Sequence, residues 1–77
     1  MWYYKCYYGN WRDAGHTGGV KVVDQSYNRK EIFGKARETA NAIGEVVTVS
    51  AKRGSPNGLI HKYYKFEPGA DQPTIFE

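Results

Sequence analysis

Seventy-seven residues leave room for one domain with one thin core. The single cysteine, Cys6, excludes an internal disulfide, and Cys6, His16 and His61 lack the spacing of a zinc site, so neither metal nor cofactor is expected. All eleven Lys and Arg precede Glu67, where they face five acids. The last eleven residues carry Glu67, Asp71 and Glu77 and no base, so a body of +6 ends in a tail of −3. Such a body suits an acidic partner, whether nucleic acid or a protein surface, although it also serves ordinary solubility. The aromatic run at residues 2–8 is too short and polar for a signal peptide, and no segment approaches the roughly 20 apolar residues that span a bilayer. The expectation is a cytoplasmic protein with a reduced thiol and no membrane partner.

The chain should begin with a strand over residues 2–8, with Trp2, Tyr4, Cys6 and Tyr8 on one face and Tyr3, Lys5 and Tyr7 on the other. A long glycine-rich loop follows, carrying Trp11 beside Arg12 as a candidate anchor pair for recognition, or as a cap on the small core. A second strand is expected near residues 19–24, where Val20, Val22 and Val23 cluster and Lys21 takes the parity opposite to Val20 and Val22. Asn28 is a good N-cap, with Glu31 at the capping-box position and Tyr27 and Ile32 at the spacing of a hydrophobic staple. From Arg29 to Ile43, Ile32, Ala36, Ala40 and Ile43 form an apolar stripe with Phe33 alongside, and Gly44 stands where a left-handed cap ends a helix.

Residues 45–52 alternate as a third strand, Val47, Val49 and Ala51 opposing Val46, Thr48, Ser50 and Lys52. The turn 53–58, rich in Gly, Pro and Asn, leads to a fourth strand over residues 59–66. There Ile60, Tyr64 and Phe66 share one face and Leu59, His61, Tyr63 and Lys65 the other. After Phe66 the pattern stops, and residues 67–77 read as an irregular acidic tail whose Ile75 and Phe76 are apolar enough to dock on the body or on a partner. The fold class is therefore α+β, in the order β-β-α-β-β, as a four-stranded, largely antiparallel sheet with one helix on one face of a single domain at residues 1–66.

One helix leaves the other sheet face open. That face should carry Tyr3, Lys5, Tyr7, Lys21, Thr48, Ser50, Lys52, His61, Tyr63 and Lys65, assisted by Trp11 and Arg12 from the loop. Tyrosines among lysines suit a protein interface and equally a platform for stacking the bases of RNA or single-stranded DNA. Tyrosine is also simply a good strand former. The edges of such a sheet make a homodimer conceivable. Catalysis has little to stand on: His16 near Asp13 has no marked nucleophile or oxyanion site, and the loop glycines do not match a phosphate-binding fingerprint. Gly15-His16 resembles a fragment of the motif of small ribonuclease toxins of the HicA type, but a strand is expected here where those toxins have an N-terminal helix. In size and in the layout of residues 2–66 the chain resembles small inhibitor proteins encoded by phages and mobile elements, the anti-CRISPR proteins among them. The resemblance implies a non-catalytic domain that covers a surface of a protein or nucleoprotein complex, and it transfers no site residues.

Overall fold

The computed structural model describes residues 1–9 and 21–76. Strands β1 (Trp2–Tyr8) and β2 (Lys21–Ser26) precede helix α1 (Arg29–Ile43); β3 (Val47–Arg53), β4 (Ile60–Phe66) and β5 (Thr74–Phe76) follow it. The strands form one sheet in the order β2-β1-β3-β4-β5, every neighbouring pair antiparallel. The sheet thus has five strands where the alternation predicts four. Thr74–Phe76 adds to β4 instead of remaining irregular, in a strand too short, and too close to Pro73, to show a period of its own.

The helix forms where its signals place it. Asn28 Oδ1 accepts the Glu31 amide at 3.2 Å, and Gly44, at φ +70°, donates its amide to the Ala40 carbonyl. The other half of the expected capping box differs, because the Asn28 amide donates to Ser26 Oγ at 3.0 Å. The hydrophobic staple differs as well: Tyr27 stays half-exposed and sets its ring edge-on to Tyr3, 4.8 Å between centroids.

Ile32, Ala36 and Ala40 are fully buried, and the two alanines let the helix lie close to the sheet. Against them pack Tyr4 and Cys6 of β1, Val47, Val49 and Ala51 of β3, and Tyr64 and Phe66 of β4. Ile43, at the end of the predicted stripe, stays partly exposed. Phe33 closes this core on the β4 side, its ring 6.0 Å from Tyr4, 4.8 Å from Tyr64 and 5.2 Å from Phe66. The helix lies over β1, β2 and β3 and touches β4 least, so the helix side of β5 is uncovered and Ile75 remains exposed there.

The hairpin turn between β3 and β4 demands glycine at 58. A Cβ there would fall on the Arg53 carbonyl, and the Gly58 amide already donates to Ser55 O.

Candidate functional site

The sheet face away from α1 is assembled by register. Lys5 of β1 stands opposite Gln25 of β2 and Ser50 of β3; Ser50 stands opposite Tyr63 of β4, and Tyr63 opposite Phe76 of β5. One row therefore crosses all five strands. The next row runs Val22, Tyr7, Thr48, Lys65, Thr74. Since neighbouring strands lie about 4.8 Å apart, Lys5 and Tyr63 stand about 10 Å apart across the small Ser50. Phe76 is an addition to the expected face, and the Lys65 ammonium sits 5.9 Å from its ring centroid. The C-terminal segment thus widens this face at its edge and leaves its centre uncovered.

The floor is tight. Thr48 and Ser50 are buried beneath the side chains of the flanking strands, and Tyr7 is half-buried. Burial pushes the Tyr7 phenol above its usual pKa, with the nearby Tyr63 phenol adding to the rise and the Ser50 hydroxyl opposing it. Although that hydroxyl neighbours Tyr7, Ser50 Oγ makes no hydrogen bond of regular geometry among the described residues. Tyr63, Lys65 and Phe76 are exposed.

Other expected members of the face are placed differently. Tyr3 is 8% exposed: Tyr27 packs on it, and its hydroxyl donates to Gln25 Oε1 at 2.9 Å, so it is a structural residue of this face. A bulge between Cys6 and Tyr7 shifts β2 by one residue. Lys21 then pairs with Tyr8, which puts it on the helix side, and the exposed Val22 takes the expected place opposite Tyr7. A second bulge, between Ala51 and Lys52, takes His61 out of the alternation; its ring meets Trp2 edge-on at 5.3 Å. Lys52 turns its ammonium to the Pro56 carbonyl at 3.0 Å and serves the hairpin turn. The anchor pair Trp11 and Arg12, together with Asp13 and His16, lies outside the described residues. What assembles is Lys5, Tyr7, Tyr63 and Lys65, joined by Phe76.

Sequence reasoning missed a second constellation. Arg29, Lys30, Phe33, Gly34 and Arg37 line a cavity of about 410 Å³ on the outer flank of α1. The signal was present in the spacing, Arg29-Phe33-Arg37 and Lys30-Gly34 each stepping by four, but Phe33 was assigned to packing alone. Arg29 lies over the Phe33 ring, 4.7 Å from its centroid, and 5.7 Å from that of Tyr64. Arg37 Nη2 donates to the Asp71 carbonyl at 2.8 Å, while Asn41 Oδ1 accepts the Gly69 amide at 2.7 Å, tying the β4–β5 connection to the helix.

Cys6 is fully buried against the helix; burial, with help from the Asp24 charge and against Lys35, pushes its thiol up to about 11, which makes it a packing residue and a poor nucleophile at neutral pH. Among the described residues no three His, Cys, Asp or Glu side chains gather as a metal site would need, and no helix is long and apolar enough to cross a membrane. No family model matches this chain, and no curated protein or solved structure shows significant similarity to it.

Proposed function

We propose that this protein is a non-catalytic binding domain of the inhibitor type, docking on an acidic surface of a protein or nucleoprotein partner through Lys5, Tyr7, Tyr63, Lys65 and Phe76. The observation that carries the reading is the row Lys5-Ser50-Tyr63-Phe76, which sets two exposed aromatics and a cation on one flat face that α1 leaves free. Aromatic side chains supply contact area at small entropic cost, and the lysines among them favour an acidic partner. The buried thiol of Cys6 suits a reducing compartment, the cytoplasm. The anti-CRISPR-like analogy remains one of size and layout.

The engagement of Tyr3 by Tyr27 and Gln25 favours a protein surface over single-stranded nucleic acid, because it withdraws one ring from the face on which bases would stack. The test has two arms. Partner captured by the native protein should be lost when Tyr63→Ala and Lys65→Glu are combined, with affinity falling at least about tenfold and the thermal midpoint held within a few degrees. Unchanged capture rules the face out. In the second arm, anisotropy with labelled single-stranded RNA and DNA is read at about 50 and 200 mM salt; submicromolar binding that collapses with salt would make the protein a nucleic-acid binder instead.

A further inference from the structure

We propose that the groove on the flank of α1 is a second binding site, for a nucleotide-sized organic phosphate. Three cationic side chains, Arg29, Lys30 and Arg37, converge on one cavity, and none of them pairs with a carboxylate among the described residues. Among the described residues the polar contact of Arg37 is to a backbone carbonyl, and its guanidinium has no carboxylate partner there. Converging arginine and lysine donors match the several oxygens of a phosphate. A bare phosphate would leave most of about 410 Å³ empty, a volume in the range of small-molecule sites, so the ligand carries an organic body. That body is planar: Arg29, held over Phe33, offers an ordered flat cation on which an aromatic ring stacks.

Gly34 marks the seat of the phosphate. It lies four residues after Lys30 and three before Arg37, hence between them on the helix surface. Glycine in a helix interior is unfavourable relative to alanine, and packing does not require it here, since a Cβ at position 34 would meet nothing within 4 Å. The missing side chain leaves space for an anion between the two cations.

Titration of the ¹⁵N-labelled protein with the four common nucleoside 5′-monophosphates, with inorganic phosphate and with adenosine as controls, tests the site. Amide shifts should move at residues 29–37 for at least one nucleotide, more tightly than for either control. The variant Arg37→Gln should weaken that binding about tenfold. Gly34→Ala is the decisive variant: it should raise the thermal midpoint by roughly 4–8 °C, because it removes a helix-interior glycine, and still weaken binding, because its methyl occupies the seat. A Gly34→Ala protein that is stabilised and binds as well as the parent overturns the proposed seat. No shift with any nucleotide at about 1 mM, or shifts confined to the Tyr63–Phe76 face, overturns the site. Equal affinity for inorganic phosphate shows an anion site without recognition of a planar body and overturns the ligand class.

Discussion

Ser50 shows how one small residue serves the open face. Its side chain lies at the centre of the cross-sheet row, where a larger residue would lift Lys5 and Tyr63 away from the sheet. Its hydroxyl is fully buried without a partner of regular geometry among the described residues, a state that costs about 1–3 kcal/mol relative to a satisfied group. Ser50→Ala should therefore stabilise the domain by about 1 kcal/mol, seen as a higher urea midpoint at unchanged slope. A loss of stability would show that the hydroxyl holds Tyr7 in place. Phe33 is the corresponding residue on the helix side: Arg29 lies over its ring, which also packs against those of Tyr64 and Phe66. It belongs to the core and to the groove at once.

At the scale of elements, the helix is the segment whose local signals are most consistent with one another. The cap, the apolar stripe and the terminal glycine all agree, and the observed limits are those the signals predict. Replacing Asn28 with Ala should remove one capped amide and cost about 1 kcal/mol in urea unfolding; an unchanged midpoint would transfer the capping role to Ser26. The strands are less self-sufficient. Their alternation states which residues share a face, and it succeeds for β1, β3 and most of β4. It fails at Lys21 and at His61, each beside a bulge, because one inserted residue exchanges the two faces from that point on.

For the whole molecule, the distribution of buried acidic protons makes a pH prediction. Cys6, Tyr4 and Tyr7 all have raised pKa values, burial being the first cause in each case. A thiol raised from 9.0 to about 11 stays protonated in the folded state while the unfolded chain has already lost its proton, so the unfolded state binds fewer protons over that interval. Stability is thus fully present below about pH 9 and falls as pH rises through about 11, with Tyr4 and Tyr7 acting in the same direction. Thermal melts from pH 8 to 11 should show a falling midpoint and, at pH 8, no reaction of the folded protein with a thiol reagent. A flat profile would place these groups in solvent.

The α+β class, the helix limits, the core residues of β1 and β3 and the Lys5-Tyr7-Tyr63-Lys65 face were all legible in the sequence. They rest on periods of two and 3.6 residues and on local capping chemistry, interactions that act within a few positions of the chain. The strand order, the addition of Thr74–Phe76 as a fifth strand and the withdrawal of Tyr3 behind Tyr27 were not legible. Each depends on which distant segments share an edge or leave one another uncovered. That choice is made by the summed burial of the sheet against the helix, and no local pattern encodes it.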